Sequence, residues 1–277
     1  MIRRFIFTTV AASAVAALCL MPAHLSAQQG AAAPTPHDAA GHPDLTGVWG
    51  ANMGGGDSPV DDSGNIVNLL VGRASEGAPG QGAINFERDN HLTRRMAANK
   101  PLYKPEYWEI IRRLNDDGSQ EDPGYGCVIG GVPRMGAPQR IVQLPKQTIL
   151  LYGGNIFREI PTDGRPHSKA SELEGTLMGE GIGSWDGDTF VVDSIGFTDF
   201  TWLDIPGYLH SENMHVVERF TRTGNTLRYE VTVEDPMLLK PFVLNPRNIA
   251  LSKADMLGEE LPCIERDLSH LVSKENH

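Results

Sequence analysis

Past residue 27 the chain has no apolar run long enough to cross a bilayer, which takes roughly 20 residues, so no integral membrane segment is expected there. Cysteine is scarce: Cys19, Cys127 and Cys263 are all there are, and no two are spaced as in a Cys/His zinc knuckle. Positive charge is short as well, with 24 Lys and Arg against 35 Asp and Glu and a net charge of −11. That balance argues against nucleic acid and anionic membranes as partners. No G-x-S-x-G motif is present, and Ser211 is too close to His210 on one strand to act as its nucleophile, so Ser-triad hydrolysis is not supported. The Gly-rich GEGIG of residues 179–183 leads into a strand with neither a helix nor a lysine after it, which discards a phosphate loop. No internal repeat is found.

What is present begins with a leader. Arg3 and Arg4 form a basic start, Phe5 to Leu20 an apolar core, and LSA ending at Ala27 a small-residue exit, the pattern of a secretory signal over residues 1–27. Its shortness and Pro22 disfavour a membrane anchor, and Leu18 before Cys19 disfavours lipidation. Removing the leader takes away two positive charges, leaving −13 and an exported, periplasmic or secreted protein. Residues 28–43, QQGAAAPTPHDAAGHP, read as a disordered tether in which His37 and His42 are spacer residues. Residues 44–277 read as a single β-rich domain. Cys127 and Cys263, an even pair in an oxidising compartment, are expected to form a disulfide.

Within that domain, residues 54–82 are rich in Gly and acids and read as a surface loop. Short helices are expected within 91–115: HLTRRMAA, and then KPEYWEIIRRLNDDG with Trp108, Ile111 and Leu114 on one packed face. From Gln139 the pattern turns to period two. RIVQLP, QTILLYG, NIFREIP, GIGSW, DTFVVDSI, HVVERFTR, TLRYEVTVED and PFVL are separated by turn residues, with TDG, WDGD and TGN as hairpin connections. The expectation is a mainly β fold: an antiparallel meander forming a barrel or strongly bent sheet, with one or two short helices before it. Such a cup commonly holds a small ligand.

CVIGGVPR (127–134), FREIPTDGRPH (157–167), GSWDGDTFVVDSIGFTD (183–199), TWLD (201–204), HSE (210–212) and ERF (218–220) together resemble a large family of exported bacterial proteins of unassigned function. Its members run C-x-P-x-G-x-P-R, TDGR-x-H, G-x-W-x-GDT-LVVDT-x-GF, TWLD, HSE and ERF. The chain departs from that pattern at Ile129 and at PCIERD near its end, while Cys263 still aligns. The resemblance covers most of 127–267 and implies no reaction.

The chemistry-bearing residues concentrate in WLDIPGYLHSENMHVVERF, 202–220. If LHSENMHVVERF is one strand, Met214, Val216 and Phe220 define its inward face, carrying His210, Glu212 and Glu218 inward and His215 outward; a bulge at 211–213 would scramble this. Arg158, alternating with Ile156 and Ile160, is the natural partner for Glu218, either as an ion pair serving the fold or as an anion holder in a pocket. His210 and Glu212 read as an acid–base pair or as a hydrogen-bonded pair at the strand entrance. Asp204 and Trp202 read as a second acid and a stacking platform, or as a turn cap and a packed indole. His167 is a further ligand-contacting candidate. No cofactor is expected; an H-x-E-x-x-H metal site through His215, with His167 added, is the weaker reading. Two functions follow: a cofactor-free lyase, isomerase or hydrolase acting on a partly apolar oxygenated compound, with His210, Glu212 and Asp204 catalytic and Arg158, Trp202, His167 and Glu218 contacting the substrate; or a periplasmic binding or carrier protein for a hydrophobic ligand.

Overall fold

Alternation of buried and exposed residues builds most of the molecule. The computed structural model describes residues 33–50, 99–116, 121–153, 156–169, 173–204, 207–254 and 257. The leader, the 54–82 loop, the 91–98 helix and Cys263 lie outside the described residues.

One antiparallel sheet has the order β1 (Gly47–Val48), β2 (Arg140–Leu144), β3 (Gln147–Leu151), β4 (Phe157–Pro161). A larger sheet is built from β5 (Glu180–Asp186), β6 (Thr189–Ile195), β9 (His215–Thr223), β10 (Thr226–Glu234), β11 (Phe242–Val243) and β12 (Arg247–Ala250). Its order is β11-β10-β9-β6-β5, with β12 also on β10. β7 (Trp202–Asp204) and β8 (Tyr208–Leu209) form a third, two-stranded unit between β6 and β9 in the chain. Every pairing of these strands is antiparallel.

All eight strand segments read from period two are strands. The closed barrel is not formed: the named strands pair only within their own sheets, and the smaller and larger sheets are bonded at the isolated Trp49–Leu251 bridge, where the Gly50 amide donates to the Ala250 carbonyl and the Ser252 amide to the Val48 carbonyl. WDGD and TGN make two-residue hairpins whose first central residues, Gly187 and Gly224, have φ of +59° and +58°, a region open to glycine. TDG does not make a hairpin. It opens the connection of residues 162–179 from β4, which pairs with β3, to β5, which pairs with β6.

The inward sets make one core: Ile141, Leu150 and Ile160 from the smaller sheet, with Phe190, Val192, Val216, Phe220, Tyr229, Val231 and Val233 from the larger. Full burial of each large side chain is worth ~1.5–3 kcal/mol, enough to hold strand register against a one-residue slip. Gly181 is required where β5 meets this core, since a Cβ there would stand 2.8 Å from Ile160 Cδ1 and 3.1 Å from Arg158 Nη2.

Two expectations fail locally. Residues 33–43 include ordered chain rather than tether alone. Asp38 Oδ1 accepts from the Ala40 and His42 amides, and Oδ2 accepts from Gln143 Nε2 at 2.7 Å. The Gly224 amide donates to Thr35 Oγ1, and His42 stacks on Trp185 with ring centroids 4.5 Å apart. Polar anchoring here replaces the apolar content that the segment lacks. α1 (Trp108–Asp116) forms where Pro105 opens a preceding 3-10 turn, but Trp108 is 61% exposed and its Nε1 donates to the Tyr103 carbonyl. Leu114, in the later turn, is the residue that the helix buries.

Candidate functional site

From Met214 onward the β9 alternation holds: Met214, Val216, Glu218, Phe220 and Arg222 are buried, and His215 is on the outer face. Glu218 is fully buried and meets Arg158 Nη1 at 2.5 Å. Tyr229 OH donates to the other Glu218 oxygen at 2.9 Å. Arg158 Nη2 donates to Ser194 Oγ at 2.8 Å, and Nη1 also reaches Tyr152 OH at 3.2 Å. Burial works against the Arg158 charge, yet Glu218 and Tyr152 beside it hold its pKa above the ordinary value. Burial likewise pushes the Tyr152 and Tyr229 hydroxyls up, so both stay protonated, Tyr229 donating to Glu218 and Tyr152 accepting from Arg158. Both guanidinium NH2 groups are engaged by protein atoms, the arrangement of a buried pair joining two sheets.

Before Met214 the alternation breaks. Asp235 Oδ2 accepts from both the amide and the hydroxyl of Ser211, and the Met214 amide donates to the Ser211 carbonyl. This turn places Glu212 at the surface, away from His210. His210 is 2% exposed; its Nε2 lies 2.9 Å from Thr201 Oγ1 and its Nδ1 3.1 Å from the Ser211 carbonyl. With the proton on Nδ1, the ring donates to the carbonyl and accepts from Thr201. Burial lowers its pKa, opposed by the Ser211 carbonyl and by Asp235 and Asp199. Glu212 therefore does not orient His210; Thr201 and Ser211 do. Trp202 and Asp204 are buried in β7. Asp235 was missed because its role, joining the 211–214 turn to the end of β10, arises only from the packing.

On the outer face of the larger sheet lies a second gathering of titratable groups. His167 Nε2 is 2.9 Å from Asp193 Oδ1, and its Nδ1 is 3.1 Å from Glu180. His215 Nε2 is 3.0 Å from Asp193 Oδ2, and its Nδ1 is 3.3 Å from Glu234. The Ser168 amide and hydroxyl donate to Glu180, tying the 162–179 connection to β5. The H-x-E-x-x-H site does not assemble: His210 is inside, Glu212 is on the turn and His215 is outside. Asp193, Glu180 and Glu234 were not singled out in the sequence, although Asp193 in TFVVDSI stands at an outward position between Val192 and Ser194.

Among the described residues, a cleft of about 590 Å³ lies between α1 and residues 100–103. Tyr103, Trp108, Ile111, Tyr208 and Leu239 line it, with Lys100 and Arg112 contributing basic groups. Tyr103 OH donates to the Leu209 carbonyl at 2.6 Å, fixing this wall to β8, one residue before His210. A further cleft, about 440 Å³, is more polar and includes Asp38, His42, Gln143 and Trp185. Neither cleft is lined by His210, Glu212, Asp204, Arg158, Trp202, His167 or Glu218. No helix among the described residues is long and apolar enough to cross a membrane. No family model, curated protein or solved structure matches the chain.

Proposed function

We propose that this is an exported binding protein that takes a small, flat, partly apolar oxygenated molecule into the cleft beside α1. The observation that carries the reading is the lining: Tyr103, Trp108 and Tyr208 with Ile111 and Leu239, and basic groups from Lys100 and Arg112. Aromatic walls with a few polar groups are the usual make-up of a small-molecule site. The exposure of Trp108 and Leu239 adds support, because large apolar side chains at a surface favour a bound partner when they share one concavity. Export rests on the leader of residues 1–27.

Binding is favoured over acid–base turnover because the intended pair is separated. His210 is satisfied by Thr201 and the Ser211 carbonyl, and Glu212 is exposed. The test uses 1-anilinonaphthalene-8-sulfonate, an amphiphilic aromatic anion, as a fluorescent probe. Saturable one-site enhancement that is lost in Trp108→Ala and weakened in Leu239→Ser supports the reading. Enhancement equal in wild type and both variants, or none at all, overturns it.

A further inference from the structure

We propose that the cleft beside α1 selects a singly charged organic anion, a flat apolar body carrying one carboxylate or similar head group. This rests on the reading of the cleft as a small-molecule site and adds the sign and the number of the ligand's charges.

The charge of the cleft runs against the trend of the chain. Asp and Glu outnumber Lys and Arg by 35 to 24 over the whole sequence. Among the described residues, however, the cleft is lined by two cations, Lys100 and Arg112, and by no acid. The 440 Å³ cleft has the opposite pattern, with Asp38 and Asp44 in its lining and no Lys or Arg. A concave site of one sign between low-dielectric walls gathers ligands of the other sign. Beside α1 the positive charge comes from both walls: Arg112 stands one helical turn after Trp108, and Lys100 lies on the facing stretch 100–103. The sign persists at the rim, since residues 236–247, which include Leu239, hold Lys240 and Arg247 and no acid.

Glu109 sets the number of charges. Its carboxylate accepts from Arg112 Nη2 at 2.6 Å and from Arg112 Nε at 3.2 Å, and these bonds hold its pKa below the ordinary value. Glu109 therefore stays ionised and offsets Arg112, so Lys100 leaves the lining with one positive charge in excess. One anionic head group matches that excess, whereas a dicarboxylate brings a second charge with no counterpart. Asp235 is near enough to act on the Tyr103 hydroxyl, but its oxygens accept from Ser211 and from the Met237 amide. The Tyr103 hydroxyl itself donates to the Leu209 carbonyl, so this residue offers the ligand its ring. Recognition of charge falls to Lys100 and Arg112, and contact with the apolar body to Trp108, Ile111 and Leu239.

The experiment is calorimetric titration of the full chain at pH 7 and low salt with 2-naphthoate and with its neutral analogue 2-naphthalenemethanol. Naphthoate is expected to bind at one site, roughly three- to tenfold tighter than the alcohol, as a partly exposed charge contact allows. Added salt should narrow the difference by screening. 2,6-Naphthalenedicarboxylate should bind no tighter than naphthoate. Lys100→Gln/Arg112→Gln, shown to be folded by circular dichroism, should bind acid and alcohol alike, and Trp108→Ala should lose both. Equal affinity of wild type for acid and alcohol, a tighter dicarboxylate, or a preference for naphthoate that survives in the double variant overturns the selectivity and leaves the cleft a small-molecule site. Binding of neither compound, or binding unchanged in Trp108→Ala, removes the cleft reading itself and the selectivity with it.

Discussion

Arg158 on β4 and Glu218 on β9 meet at 2.5 Å inside the protein, a charge pair carried by strands of two different sheets. Tyr229 satisfies the second Glu218 oxygen, while Ser194 and Tyr152 take further guanidinium hydrogens. The pair acts as a cross-link that specifies how the sheets face each other. Removing one partner leaves the other charge buried alone, which typically costs ~3–5 kcal/mol. Arg158→Met and Glu218→Gln are each expected to lose that much in urea denaturation, and Arg158→Met/Glu218→Leu less than the two losses together. Single losses below about 1 kcal/mol would show that the pair does not lock the sheets.

Gly181→Ala tests the close approach of β5 to the same pair. The new methyl would press on Ile160 Cδ1, Arg158 Nη2 and Ser194 Oγ at 2.8, 3.1 and 3.2 Å. Overpacking of this kind costs ~1–3 kcal/mol. A thermal melt unchanged from wild type would mean that the sheets part without cost.

His210 carries a pH signature. Its folded-state pKa is lowered by burial, so the folded protein favours the neutral ring. The unfolded chain takes up the proton below pH ~6.5 and the folded chain only at lower pH. Its stability contribution is therefore fully present above ~6.5 and declines as pH falls through the folded pKa. His215, whose contacts with Asp193 and Glu234 outweigh burial and raise its pKa, has the opposite sign: its contribution is present below ~6.5 and lost as pH rises. Denaturation of wild type and His210→Gln at pH 7 and pH 5 separates the two. Wild type should lose more stability on acidification than the variant; equal losses would remove the assignment. Asp38, Glu180 and Asp193, whose pKa values are lowered, weaken the fold only at more acidic pH.

On the proposal that residues 1–27 are a leader removed on export, an even pair of cysteines is left, and Cys127 and Cys263 should be bridged. Maleimide labelling of denatured, unreduced protein should find no free thiol; two labelled cysteines would end the idea. Replacing both with Ser should cost ~2–5 kcal/mol.

The strands were legible because the signal for a half-buried strand is local. In TLRYEVTV, Leu227, Tyr229, Val231 and Val233 alternate with polar residues, and all four are buried. Residues 214–220 obey the same rule, which is why Glu218 and His215 were assigned to the correct faces. His210 is buried as expected, but the rule failed at Glu212 because Ser211 bonds to Asp235, 24 residues away, and turns the chain there. Trp108 failed for a related reason: helical spacing defines a face, but the docking of α1 decides which turn of that face is covered.

The sequence by itself determined where the eight period-two strands and the WDGD and TGN hairpin turns lie, which way β9 faces, and that Arg158 would seek a buried carboxylate. These follow from side-chain period, turn chemistry and the cost of burying charge, none of which needs distant partners. Only the tertiary structure decided that the sheets do not close into a barrel, that a cleft opens beside α1, and that His167 and His215 share Asp193. The last meeting joins the 162–179 connection, β6 and β9 across 26 and 22 residues of chain. It depends on strand register and on where a loop is tied down, properties set by the whole packed molecule rather than by any one segment.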